Sequence, residues 1–309
     1  MSAEGTGLLP EHSAVDTVVT REVEVAGIRM SALCAEVAEP RAVLVAVHGG
    51  ATTARYFDLP DRPSLSLLRV GARLGFTVLA LDRPGYGASE PWGELFDEPQ
   101  RRVDATYAAI DALLGTSERG AGVFLAGHSA GCDLAARMAA DDRGAELLGL
   151  ELAGTGVDKR PEAIRVIEKI RKTGRAGGIR ELLWFPQDSY PPEVLGGRSL
   201  TSGTPGYEVA VVHDWPTDFP TLAARMRVPV RVTDAEYEQV WRTDPAARAG
   251  IAELFTTTSR FVNNVQFGCG HNLSVGYGAA AYHLGLLSFV EECALRSTPA
   301  RHRSEVEEP

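Results

Sequence analysis

The sequence predicts an α/β fold: a mostly parallel, doubly wound sheet, entered through an N-terminal antiparallel hairpin and carrying an inserted lid. Three features predict it. Short, near-continuous apolar runs, the pattern of strands buried on both faces, alternate with stretches of helical period. Two stretches of period two flank Ala26-Gly27, as in a hairpin. The alternation breaks after Gly154 and resumes at Val228.

The elements follow in order. "TVVTREVEV" and "IRMSALCAEV" form the hairpin. "RAVLVAVHGG" is a buried strand, "SLSLLRVGARLG" a helix, and "FTVLALDRPGYG" a second buried strand ending in a turn. "RRVDATYAAIDALLG" is an amphipathic helix. "VFLAGHSAGC" and "CDLAARMAAD" read as strand and helix, and "LLGLELAG" as a strand. In the interruption "RPEAIRVIEKIRKTG" is helical, while "LLWFPQDSYPPEV" and "VHDWPTDFP" look irregular. The rhythm resumes with the strand "VPVRVTDAE", the helix "AARAGIAELFTT", the strand "SRFVNNVQFGCGH" and the helix "GAAAYHLGLLSFVEECA". This sets the expected organisation as a flexible tail at 1–16, a core at 17–156 and 226–296, a lid or cap at 157–225, and a second tail at 297–309.

The 309 residues carry a formal net charge of -10, which disfavours nucleic acid or an anionic membrane surface as a partner. The start of the chain lacks the basic and apolar segments of a signal peptide, and no apolar run is long enough to span a membrane, so a cytoplasmic location is expected. Cys34, Cys132, Cys269 and Cys293 form no CxxC pair, and four reduced thiols are expected, with no metal site.

Gly127-His128-Ser129-Ala130-Gly131 fits G-x-S-x-G between a buried strand and a helix. The glycines allow close backbone approach in a sharp turn, and Ser129 would stand at a helix N-terminus, where developing negative charge is favoured. A serine hydroxyl needs a base to become a nucleophile. Of seven histidines, His271 in "GCGHNLSVG" follows the last strand in a glycine-rich loop that can hold it over the sheet edge; His48 and His128 sit in glycine turns and read as loop-orienting. Asp234, Glu236 and Glu238 are the candidate carboxylates for His271. After "VAVHGG", the N–H of Gly50, or that of Ala51, would pair with the N–H of Ala130 to hold an oxyanion.

Over about residues 20 to 295 the chain resembles the α/β-hydrolase fold superfamily, through "HGG" at 48–50, "DRPGYGAS" at 82–89, "GHSAG" at 127–131 and "GCGHN" at 268–272. The resemblance implies Ser129 as nucleophile, His271 as base, and Gly50 and Ala130 as oxyanion donors, with "DRPGYGAS" shaping the pocket floor. Laying a "PVLVVHGEHD"-like strand end on "PVRVTDAEYE" puts the triad acid at Glu238, a glutamate where many relatives have aspartate. The apolar run stops at Val232, and a residue later in the following turn reaches His271 more readily, which also favours Glu238.

The expected function is a serine hydrolase that cleaves an ester or thioester of a small molecule, free or carrier-bound, without a cofactor. Alternatives on the same triad are an acyltransferase, a cyclase or a C–C bond hydrolase; a non-enzymatic alternative is a small-ligand receptor. Trp184, Phe185, Tyr190 and Trp215, with Phe219, are candidate substrate contacts in the lid. The basic residues of 159–175 could recognise a carboxylate or a carrier, or simply form a solvated helix face.

Overall fold

The computed structural model describes residues 17–173, 177–195 and 200–297. The expected tails lie outside these residues, except Ser297, which ends the last helix. Eight strands, β1 (Val19–Val25), β2 (Ile28–Ala35), β3 (Val43–Val47), β4 (Thr77–Leu81), β5 (Val123–His128), β6 (Gly149–Ala153), β7 (Val230–Ala235) and β8 (Phe261–Gln266), form one sheet in the order β1-β2-β4-β3-β5-β6-β7-β8. The β1-β2 and β2-β4 pairs are antiparallel and the remainder parallel. Val25 pairs with Ile28 across a two-residue turn, in which Ala26 and Gly27 have φ of 50° and 78°. Positive φ at both central residues matches the strands' twist.

The helices are α1 (Leu67–Arg73), α2 (Pro99–Leu114), α3 (Gly131–Ala140), α4 (Pro161–Thr173), α5 (Ile179–Leu183), α6 (Pro192–Leu195), α7 (Glu208–Ala223), α8 (Pro245–Leu254) and α9 (Ala279–Ser297). Strand side chains alternate between two cores. Val43, Val45, Val47, Leu79 and Leu125 join α2, α3, α7 and α8 on one face. Leu44, Ala46, Val78, Phe124 and Ala126 join α1 and α9 on the other. Burial on both faces is why these strands read as continuous apolar runs rather than alternating ones.

Between β6 and β7 the chain forms α4 to α7. "VHDWPTDFP", expected to be irregular, lies inside α7, with Pro216 and Pro220 in its interior. A proline leaves the carbonyl four residues earlier without its helical donor. For Pro216 that carbonyl belongs to Val212, and the Lys159 ammonium donates to it at 3.1 Å. Trp215, Phe219, Leu222 and Ala223 then bury the helix against the core. β7 also runs past the expected stop at Val232, because Thr233, Asp234 and Ala235 still pair with Asn264, Val265 and Gln266 of β8. The carboxyl ends of β3, β5, β7 and β8 therefore all open at one edge of the sheet, where ligands of such sheets bind.

Candidate active site

Ser129 sits between β5 and α3 with φ of 52°, and its N–H donates to the Ala153 carbonyl at 2.9 Å. The flanking glycines are forced by packing. A Cβ on Gly127 would lie 2.9 Å from the Ala135 Cβ, and one on Gly131 only 2.4 Å from the His48 carbonyl oxygen. The turn projects the Ser129 hydroxyl from the sheet edge toward the loop after β8.

That loop carries His271. Its Nε2 lies 2.9 Å from Ser129 Oγ and its Nδ1 lies 2.8 Å from Glu238 Oε2. After β7 the chain turns, the Glu238 N–H donating to the Ala235 carbonyl, and the Glu238 side chain points inward. Its other oxygen, Oε1, accepts from the N–H of Val240 at 2.7 Å and of Trp241 at 3.4 Å. Burial alone would raise the Glu238 pKa, but His271 beside it and these hydrogen bonds hold it below the usual carboxylate range. An ionised carboxylate only accepts, so the proton is assigned to Nδ1, and Nε2 is free to accept from Ser129.

The rival carboxylates are elsewhere. Exposed Glu236 accepts the Gly268 N–H at 2.8 Å, bracing the loop before His271. Asp234 is buried, with Arg248 Nε 3.7 Å from its Oδ2. Of the two amides weighed in the loop after β3, that of Ala51 donates to the Tyr86 hydroxyl at 3.3 Å. Those of Gly50 and Ala130 have no hydrogen-bond partner among the described residues, and Gly50 faces Ala130 closely enough that a Cβ there would lie 3.8 Å from the Ala130 Cβ.

A model of the alpha/beta hydrolase family matches residues 44–281, a span that holds all of these side chains. The chain belongs to that family. No curated protein sequence matches this hydrolase-family member. Among solved structures it is similar to a lipase in an open form, at 17% identity over 89% of this chain and 99% of that one, with a TM-score of 0.64. A highly thermostable carboxyl esterase from Bacillus coagulans is 16% identical over 90% and 100% of the two chains, with a TM-score of 0.61. The thioesterase domain from the curacin biosynthetic pathway is 16% identical over 89% and 99%, with a TM-score of 0.58. At such identities the likeness is one of fold.

Further residues of this α/β hydrolase surround the Ser129–His271–Glu238 chain. His128 has its Nε2 2.9 Å from the His271 carbonyl, to which it donates, and stacks on Tyr56 with ring centres 4.5 Å apart. Burial, followed by the neighbouring His271, pushes the His128 pKa down to about 3, so its ring is a neutral brace. The β6–β7 segment backs the same loop: Asn272 donates its side-chain N–H to the Leu183 carbonyl at 2.9 Å and its backbone N–H to the Tyr190 hydroxyl at 3.2 Å. A side chain at Gly270 would collide with the Phe185 carbonyl, 2.0 Å from its Cβ.

The aromatic candidates divide. Half-buried Trp184 packs edge-on against buried Tyr190 beside the His271 loop, and Phe185 is exposed. Trp215 is buried, donates its indole N–H to the Gly156 carbonyl at 3.0 Å, and stacks on Phe219 with ring centres 4.5 Å apart, fastening α7 to the core. The basic residues Arg165, Lys169, Arg171 and Lys172 lie on exposed positions of α4. The four cysteines are buried and unpaired, and among the described residues no helix is long and apolar enough to cross a membrane. The sequence did not single out His128 as a brace for His271 itself; its only signal was an imidazole in the G-x-S-x-G turn.

Proposed function

We propose that this protein is a serine hydrolase that cleaves an ester or thioester of a small molecule through Ser129, His271 and Glu238. The observation that carries the reading is the unbroken hydrogen-bonded chain from Ser129 Oγ through His271 to Glu238, at 2.9 and 2.8 Å, beginning in a left-handed strand-to-helix turn.

Ser129 Oγ attacks the acyl carbon as its proton passes to His271 Nε2. Glu238 holds the Nδ1 proton and stabilises the imidazolium. The carbonyl oxygen becomes an oxyanion, to which the uncommitted N–H groups of Gly50 and Ala130 would donate, aided by the N-terminus of α3. The intermediate collapses with transfer of the Nε2 proton to the leaving alcohol or thiol, giving an acyl-Ser129. Water then gives a proton to Nε2 and attacks the acyl carbon, and Ser129 leaves with that proton restored. The segment between β6 and β7 acts as a lid, with Trp184 and Tyr190 beside the His271 loop as the aromatic part of the acyl site. The intact hydrogen-bonded chain favours this reading over a ligand receptor, which needs no activated serine.

A panel of p-nitrophenyl esters and acyl thioesters of graded chain length, with fluorophosphonate labelling, tests it. Turnover and labelling that disappear in Ser129→Ala are expected; His271→Ala should be as inactive, and the double variant hardly worse, because these groups act as a unit. A wild-type protein that neither turns over any of these substrates nor labels overturns the reading.

A further inference from the structure

The end of the inserted segment runs across the loop that carries Gly50. The Ser202 N–H donates to the Ala51 carbonyl at 3.0 Å. Pro205 packs on Gly85, so that a Cβ there would lie 3.0 Å from it. The Tyr207 hydroxyl donates to the Pro84 carbonyl at 2.5 Å. Next to it, Glu208 opens α7 and reaches Arg83, its Oε1 2.6 Å from Arg83 Nη1, with side chains only 8% and 2% exposed. The Glu208 carboxylate also faces the loop: a Cβ on Gly50 would be 3.1 Å from its Oε2.

Arg83 has a second task. Its Nη2 donates to the Gly49 carbonyl at 2.9 Å. His48 Nδ1 donates to the same carbonyl at 2.8 Å, while His48 Nε2 accepts the Arg83 backbone N–H at 3.1 Å. The Gly49 carbonyl and the Gly50 N–H belong to one planar trans peptide unit and point in opposite directions. Two donors gripping the carbonyl therefore fix where the Gly50 N–H points. Glycine at both positions makes this grip necessary, because neither residue restrains its own backbone.

We propose that Arg83 and Glu208 are positioning residues for the Gly50 amide, so that the inserted segment, through Glu208, holds one half of the oxyanion hole in place. The proposal rests on reading Ser129 as an acyl-transfer nucleophile. Arginine suits the task because separate nitrogens of one rigid fork hold the carboxylate and the carbonyl together; a lysine ammonium lacks that fork. Glu208 holds the fork's other side, so the two contacts set one orientation of the guanidinium.

The test compares Arg83→Lys and Glu208→Gln with the wild type in kcat, KM, thermal unfolding and affinity for phenylboronic acid, which adds to Ser129 Oγ and places an oxygen in the oxyanion hole. Arg83→Lys should lower kcat by roughly 10²- to 10³-fold, the loss expected for one oxyanion donor, with little change in KM. Glu208→Gln keeps the shape but loses the charge-assisted contact, and should lower kcat about tenfold. Boronate affinity should fall in step with kcat in both variants. If Arg83→Lys does not fold, Glu208→Gln decides. A folded Glu208→Gln protein with wild-type kcat and boronate affinity overturns the proposal. So does a loss confined to KM or melting temperature, the mark of a purely structural pair. A wild-type protein that neither turns over nor labels at Ser129 removes the hydrolase reading, and the proposal with it; wild-type reactivity with unaffected variants removes the positioning role alone.

Discussion

Asp234 is the last residue but one of β7 and Glu238 stands in the turn just beyond the strand, and both carboxylates are 1% exposed. Their protonation is nonetheless driven in opposite directions. Burial, followed by the charge of Glu238, pushes the Asp234 carboxyl up to about 7 against the pull of Arg248, and its Oδ2 is a buried oxygen with no hydrogen-bond partner. Glu238 is as deeply buried, yet His271 and the two turn amides hold it ionised. Burial sets a penalty on charge of similar kind in both places; the donors aimed at the carboxylate decide whether the penalty is met. The strand end supplies Asp234 with few donors because its backbone is committed to the sheet. The turn, by contrast, has free amides to give.

The strongest challenge to this contrast is Glu238→Gln, which keeps the shape but removes the charge that holds the Nδ1 proton. It should lower kcat on the order of 10⁴-fold while the protein stays folded, measured by ester turnover alongside circular dichroism. Asp234→Asn should leave turnover near wild type and act on stability instead. The folded protein binds the Asp234 proton more tightly than the unfolded chain does, so unfolding releases it between roughly pH 4 and 7. This group therefore withdraws stability as pH rises through that window, and the withdrawal is complete above about 7. Asp234→Asn should be more stable than wild type at pH 8, by up to about 4 kcal/mol, and similar at pH 4. Urea unfolding at the two pH values checks this; a variant no more stable at pH 8 would show that Asp234 ionises freely. Glu238 has the opposite sign: its stabilisation is present at neutral pH and is lost as acid protonates it. Glu236→Gln should have the smallest effect, about 1 kcal/mol at most from its bond to the Gly268 N–H, with turnover retained. A turnover loss in Glu236→Gln matching that of Glu238→Gln would transfer the triad acid to residue 236.

Much of the sheet was legible because its strands are governed by local rules. Ala26-Gly27 marks the hairpin turn, and runs such as "VLVAV" have only one way to bury both faces. The surroundings of Ser129 could be read for the same reason, since Gly127 and Gly131 are demanded by backbone packing within a few residues. The reading failed where distant groups decide. Pro216 and Pro220 look like breakers, but Lys159, far earlier in the chain, supplies the donor that Pro216 cannot, and core packing does the rest. Trp215 and Tyr190 are both aromatic residues of the insertion, and nothing local reveals that one fastens α7 to the core while the other props the His271 loop. The Glu208–Arg83 contact joins two regions, and although "DRPGYGAS" stands out as a motif, nothing in it or around Glu208 marks the two as partners.

The φ of 52° at Ser129 has an evolutionary consequence. A left-handed conformation costs a residue with a Cβ about 1–2 kcal/mol, a strain that glycine does not bear. The most stable occupant of position 129 is therefore not the residue found there. On the proposed role of Ser129 as nucleophile, a copy of this chain released from selection for activity would be expected to drift toward glycine at this position, growing more robust as it lost its chemistry. Serine at 129 is a preference that folding alone would not have made.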